Sequence, residues 1–111
     1  MNNDNIIKLY RAIDAEEFAS VFKTKRFSLH ERKSSVKYFA FNFEETLEFA
    51  NKSFNNELVA ILEVKIYNEN LNNVGDFVNV DPFCFKSGTV EIQLENLEKF
   101  NACILEINHI I

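Results

Sequence analysis

The sequence predicts an α+β fold with a mostly antiparallel sheet and two short helices. Three observations carry that expectation. Runs rich in β-branched and aromatic residues recur along the chain, the strongest being LVAILEVKIY at Leu58–Tyr67. Two stretches with helical apolar spacing, each behind a capping residue, fall in the first half. Strand-like runs then crowd the second half, and helices early with strands late favour α+β over a doubly wound α/β sheet.

Taken in order, Ile6–Ile13 (IIKLYRAI) reads as the first strand. Asp14 is placed to cap a helix, with Glu17 three positions on in a capping-box arrangement. That helix, over 15–24, puts Phe18, Val21 and Phe22 on one face and ends in the basic Thr24-Lys25-Arg26. A short strand at Phe27–Leu29 precedes the polar loop HERKSS. Val36–Phe41 is the second clear strand, where Tyr38 and Phe39 alternate, so one of them faces the core. Asn42 caps a second helix over Phe43–Asn51, with Glu44 and Glu45 in its first turn, where the helix dipole favours negative charge.

Leu58–Tyr67 is the longest strand, and its continuously apolar first half places it centrally. Asn68–Asn73 reads as a turn ended by Gly75-Asp76. Phe77–Val80 and Pro82–Phe85 read as short edge pieces, and Ser87-Gly88 as a tight turn. Val90–Leu94 alternates, with Val90, Ile92 and Leu94 inward and Glu91 and Gln93 on the other face. Glu95–Phe100 reads as a helical turn and Ala102–Ile111 as a last strand, with Ile104 packing inward.

A chain of 111 residues fits one domain, 1–111. At this size about two thirds of the unfolded surface is buried on folding, enough for a core without metal or disulfide staples. The 12 Phe supply that core, and the crowding of Phe39, Phe41, Phe43 and Phe49 marks where an aromatic-walled pocket would form. Only 2 Gly are present, which argues against glycine-rich phosphate loops. The net charge of −5 makes nucleic acid a disfavoured partner, because a phosphate backbone would be repelled overall. Lys23, Lys25, Arg26, Arg32, Lys33 and Lys37 form the one basic segment, read either as a solvated stretch or as a site for an anionic ligand or acidic partner. Cys84 and Cys103 sit among apolar residues, lack metal-ligand spacing and read as buried free thiols, so no metal is expected. No apolar run has signal-peptide or membrane-span length, which predicts a cytoplasmic protein with no membrane partner.

The common catalytic signatures are absent: no phosphate-binding P-loop, no GxGxxG, no GxSxG and no HExxH. What remains is a spaced order. Leu9-Tyr10-Arg11 opens the chain's first strand. Tyr38, in Lys37-Tyr38-Phe39-Ala40, leads into the helix that carries Phe49, and Glu91 lies on a late strand in TVEIQLENLEKF. In this order the chain resembles the small ADP-ribosyltransferase-like proteins of the diphtheria toxin and poly-ADP-ribose polymerase superfamily. That resemblance implies a compact split sheet. It also implies NAD as substrate, held by Arg11 and flanked at its nicotinamide by Tyr38 and Phe49, with Glu91 as the catalytic carboxylate. Members of this size carry Thr-Gly where this chain has Thr24-Lys25.

Those residue types suit the chemistry. A positive nicotinamide ring stacks on electron-rich aromatic faces. A pyrophosphate or ribose suits a guanidinium fork. A carboxylate stabilises the oxocarbenium-like charge at the ribose and orients or deprotonates the attacking group. The implied activity is transfer of ADP-ribose to a macromolecular target such as a protein, as in a toxin or phage-conflict effector. Each residue also has a plainer role: Arg11 paired with a carboxylate, Tyr38 or Phe49 in the core, Glu91 solvated. The chain therefore also reads as a non-catalytic acidic module, such as an immunity or anti-defence protein whose partner is the protein it inhibits.

Overall fold

The computed structural model describes residues 5–28, 36–53, 60–79 and 81–111. Along the chain run β1 (Ile6–Ile13), α1 (Ala15–Thr24), β2 (Val36–Ala40), α2 (Phe43–Ser53) and β3 (Ala60–Tyr67). Then come α3 (Asn68–Val74), β4 (Asp76–Val78), β5 (Thr89–Gln93), α4 (Leu94–Cys103) and β6 (Glu106–His109). The strands form one six-stranded sheet in the order β4-β5-β2-β1-β3-β6, with every neighbouring pair antiparallel.

The α+β class and the antiparallel sheet match the sequence expectation; the two-helix arrangement does not. Asn68–Asn73, expected as a turn, lies in α3, because Leu71 and Val74 are three apart and both bury against the core. Local asparagine content favours turns, but packing of an apolar stripe outweighs it. Leu94, expected inward on a strand, instead opens α4 and is exposed, while Leu97 and Phe100 at the following i+3 steps are buried. The last strand is correspondingly shorter than Ala102–Ile111. Phe27 and Ser28 are not strand, and Leu29 and the HERKSS loop lie outside the described residues. The Phe27 backbone instead pairs with one side chain: its N–H donates to Asn101 Oδ1 and its carbonyl accepts from Asn101 Nδ2, both at 2.8 Å.

Pairing sets which side chains share a face, because residues directly opposite in a ladder point the same way. Leu9 lies opposite Val64, and Phe39 opposite Val90. These residues, with Ile13, Leu62, Ile66 and Ile92, make the apolar face, covered by Val21 of α1, Phe27, Leu71 and Val74 of α3, and Leu97 and Phe100 of α4. Phe27, Phe39 and Phe100 meet ring to ring, with Phe39 to Phe100 at 5.0 Å and Phe27 edge-on to Phe39 at 5.2 Å. Gly75 is required where α3 turns back onto the sheet: a Cβ there would lie 2.6 Å from Val90 Cγ2. Among the described helices α2 alone lies on the opposite face, and it is this face that bears Tyr10, Tyr38, Glu63 and Glu91.

The sheet is unevenly knit. Every residue of β1 has a partner on β3, from Ile6 opposite Tyr67 to Ile13 opposite Ala60, and all five residues of β2 pair with β5. Between β1 and β2 a single pair forms, Tyr10 opposite Ala40. Two ladders thus meet along a seam that backbone hydrogen bonds barely close. Among the described residues, no helix is long and apolar enough to cross a membrane.

Candidate functional site

The seam between β1 and β2 holds a cavity of about 260 Å³. Its lining takes residues of both strands: Tyr10, Arg11 and Ala12 of β1, and Tyr38, Phe39 and Ala40 of β2. Only one residue pair, Tyr10 opposite Ala40, closes β1 against β2 beside it. Alanine at 12 and 40 leaves the floor open beside the two tyrosine rings.

The roof is built by α2 and the segment that follows β4. Asn42 caps α2 as expected, its Oδ1 accepting from Glu45 N–H at 2.9 Å. Its carbonyl also accepts from the Thr46 hydroxyl at 2.8 Å. Thr46 and Phe49, three apart, then face the cavity. Phe85 packs on Phe49 at 5.0 Å between ring centres and adds a second apolar wall. A clasp fixes that wall: Glu45 accepts from Ser87 N–H at 3.0 Å and from Ser87 Oγ at 2.9 Å. Gly88, at φ +92, makes the left-handed turn from the clasp into β5 that a side-chain residue would adopt only under strain.

At the seam, on the core face of the sheet, lies a group of charges, with Lys37 buried and Arg11 and Glu17 partly so. Arg11 donates from Nε and Nη2 to the two carboxylate oxygens of Glu17, at 2.6 and 3.0 Å. Its Nη1 donates to the Tyr38 carbonyl at 2.9 Å. A guanidinium therefore bridges β1 and β2 where the ladder does not. Lys37, only 5% exposed, approaches the same Glu17 at 3.5 Å. Burial pushes the Glu17 carboxyl up, but the hydrogen bond and charge of Arg11, joined by Lys37, outweigh it and hold the group below its ordinary range. The Asp14 half of the capping box forms, Oδ1 accepting from Glu17 N–H at 2.9 Å, while the Glu17 carboxylate turns to Arg11.

Three of the four residues singled out from the sequence, Arg11, Tyr38 and Phe49, line this one cavity although they lie on β1, β2 and α2. Phe39, not Tyr38, takes the core position of that alternating pair. Glu91 sits directly opposite Tyr38 across the β2–β5 ladder, beside the cavity. A hydrogen bond to Glu91, then burial, then the Glu91 charge raise the Tyr38 hydroxyl above its ordinary pKa. Gln93 Nε2 also donates to Glu91.

Several site residues gave no sequence signal of their own. Tyr10, two strands from Glu91, also lines the cavity, and its hydroxyl donates to Glu63 Oε2 at 3.1 Å. Glu63 interrupts the apolar run of β3 and is the one acidic residue in LVAILEVKIY. Thr46, Phe85 and Thr89 depend on tertiary placement. The basic segment divides: Lys37 is buried against Glu17, Arg26 pairs with Glu98, and Arg32 and Lys33 lie outside the described residues. Cys84 and Cys103, expected buried, are half-buried free thiols. Among the described residues, no three His, Cys, Asp or Glu side chains gather into a metal-ligand group.

Set against protein-family models, curated proteins and solved structures, the chain shows no match.

Proposed function

We propose that this chain is an ADP-ribosyltransferase-like protein that takes the nicotinamide end of NAD⁺ into the β1/β2 seam and transfers ADP-ribose to a macromolecular acceptor. The observation that carries the reading is the convergence of Arg11, Tyr38 and Phe49, from three separate elements, on one aromatic-walled cavity, with Glu91 across the ladder from Tyr38. The seam also suits the split sheet that the sequence resemblance implies. The half-buried free thiols fit a reducing, cytoplasmic setting.

In this reading Tyr38 and Phe49 flank the positively charged ring, whose charge favours an aromatic face. A guanidinium has five N–H donors. Among the described residues Glu17 takes two from Arg11 and the Tyr38 carbonyl one, and the remaining two can meet a ligand phosphate or ribose oxygen. The bond from the ribose C1′ to the ring nitrogen breaks, and nicotinamide leaves neutral with the electron pair. The ribose carries the positive charge that Glu91 stabilises. The acceptor's lone pair then forms the new bond at C1′, and its proton passes to Glu91 and on to solvent.

Incubation with labelled NAD⁺ and cell lysate tests the reading, with nicotinamide release and label transfer as readouts. Glu91→Gln should cut nicotinamide release by roughly 100-fold or more, the usual cost of removing a transition-state electrostatic group, and leave the melting temperature within a few degrees. Absence of release, of transfer and of an NAD⁺-induced melting shift in the unaltered chain would sink it. A second reading, a non-catalytic module that occupies a partner protein, draws on the exposed Phe77, Val78 and Phe83 at the β4 edge. It predicts a stoichiometric partner whose binding survives Glu91→Gln.

A further inference from the structure

Glu63 is a carboxylate in the middle of an otherwise apolar stretch of β3. It stands at the centre of β3, between Leu62 and Val64, which are fully buried, and is itself only 9% exposed. Buried carboxylates are ordinarily matched by a cation. Among the described residues its hydrogen bonds come from neutral donors: the Tyr10 hydroxyl at 3.1 Å and Asn108 Nδ2 at 3.3 Å. Lys65, two residues on along the same face, is bonded to Glu106 at 3.0 Å; the Glu63 charge acts on it at longer range, a smaller contribution than that of Glu106 to holding its ammonium above the ordinary pKa.

The arrangement repeats across the seam. Tyr10 lies opposite Glu63 on the outer neighbour of β1, and Tyr38 lies opposite Glu91 on the outer neighbour of β2. Both tyrosines line the cavity. Each tyrosine thus lines the cavity while its hydroxyl is bonded to a carboxylate one strand further out. A phenol that donates to a carboxylate gains electron density, and its ring face becomes a better seat for positive charge. Among the described residues that line the cavity, Arg11 is the one cation, and it is met by Glu17 through both carboxylate oxygens. Tyr10, Tyr38, Phe49 and Phe85 line the space beside it, and at about 260 Å³ the cavity holds a ring and little more.

We propose that Tyr10–Glu63 is a second ligand-facing pair, matched to Tyr38–Glu91, and that together they make the cavity select planar aromatic cations over neutral rings of the same shape. The proposal rests on the NAD reading for its natural ligand, the oxidised pyridinium ring, and assigns the discrimination to Glu63 and Tyr10. Glu63 is a specificity residue here: it acts through Tyr10 and through its own field.

The test uses two probes that share the carboxamide-bearing ring and differ by one N-methyl group and its charge, the 1-methylnicotinamide cation and neutral nicotinamide, titrated by ligand-observed NMR into the full chain. The cation should bind at least about 10-fold more tightly, as expected of aromatic seats backed by carboxylates. Glu63→Gln should cut that preference to about 3-fold or less while leaving nicotinamide binding unchanged. Tyr10→Phe keeps the ring and removes the hydroxyl, and should lower the preference part of the way, so the proposal stays testable if Glu63→Gln does not fold. Equal binding of both probes, or a preference untouched in both variants, overturns the proposal. NAD⁺ and NADH titrations separate the two readings. Cation preference without NAD⁺ binding supports the pair and removes the dinucleotide reading. Equal binding of NAD⁺ and NADH overturns the pair and leaves the dinucleotide reading standing.

Discussion

β1 has two edges, and they are joined in opposite ways. On the β3 side every residue from Ile6 to Ile13 has a ladder partner. On the β2 side one pair forms, and an arginine side chain spans the next gap by donating to the Tyr38 carbonyl. The first edge closes by backbone and apolar packing, and leaves no room between strands. The second is held by a guanidinium, a carboxylate and a buried lysine, and leaves a cavity. The contrast teaches that the site occupies a place where regular pairing has been given up and side-chain electrostatics hold the strands instead.

The largest effect should follow from damage to the closed edge. Leu62 is fully buried in the apolar core opposite Arg11 on β1. Leu62→Ala should cost roughly 2–5 kcal/mol, the range for truncating a buried leucine in a core that relaxes only partly. Urea denaturation at neutral pH measures it. Ligand binding to the seam by the folded fraction should be unchanged, because Leu62 does not line the cavity. A loss of less than about 1 kcal/mol would mean that the β1–β3 edge is not the frame on which the seam hangs.

Damage to the open edge should cost less and should depend on pH. Glu17→Gln keeps the shape of the side chain but leaves Arg11 and Lys37 without its negative charge. Breaking a fully buried ion pair costs about 3–5 kcal/mol; Arg11 and Glu17 retain some solvent contact, which lowers the expected loss to roughly 2 kcal/mol at pH 7. The sign follows from the direction of the shift. The Glu17 pKa is lower folded than unfolded, so its contribution is full above the unfolded value, about 4.3, and is lost as pH falls through the folded value. The unaltered chain and the variant should therefore differ most between pH 5 and 7, about where Glu17 is ionised in both states, and converge in acid. Urea midpoints of both chains across that range check it; a difference that persists undiminished at low pH would remove the charge cluster as the seam's fastening.

The closed edge was easier to read from the sequence than the open one. LVAILEVKIY and IIKLYRAI announce two strands by composition alone, and their packing follows from an apolar face. Arg11, Tyr38 and Phe49 were legible only as an ordered set of types, and their convergence depended on a strand register that no local pattern reports. Glu17 was legible as a capping residue, and half of that reading held: the Asp14 bond forms, but the carboxylate serves Arg11. Tyr10–Glu63 was invisible, because period-2 alternation says which residues share a face and not which strand lies next door. The helices misread in the second half failed for a different reason. Asn68–Val74 is poor in helix formers, and only the burial of Leu71 and Val74 against the sheet selects the helix.

The smallest effect concerns the end of α1, the helix that carries Glu17 to the seam. Lys25, at the position where the resembling family has a turn glycine, adopts φ 61 and closes the helix with its N–H on the Val21 carbonyl at 2.7 Å. The backbone thus has the left-handed conformation without the residue that adopts it freely, at a cost of about 1–2 kcal/mol. Lys25→Gly should relieve that strain. Against it stand the greater freedom of glycine in the unfolded chain, about 0.4–1 kcal/mol, and the loss of the Lys25 ammonium over the Phe22 ring, about 0.5 kcal/mol at an exposed site. The net change should lie between a loss of about 0.5 and a gain of about 1 kcal/mol. Lys25→Ala separates the two contributions, since it keeps the strain and removes the ring contact, and should be less stable than both Lys25→Gly and the unaltered chain. The pH dependence assigned to Glu17 should be the same in all three, because neither variant touches the seam. If alanine proved more stable than glycine at 25, the left-handed end of α1 would not be a source of strain, and the glycine would matter to that family for another reason.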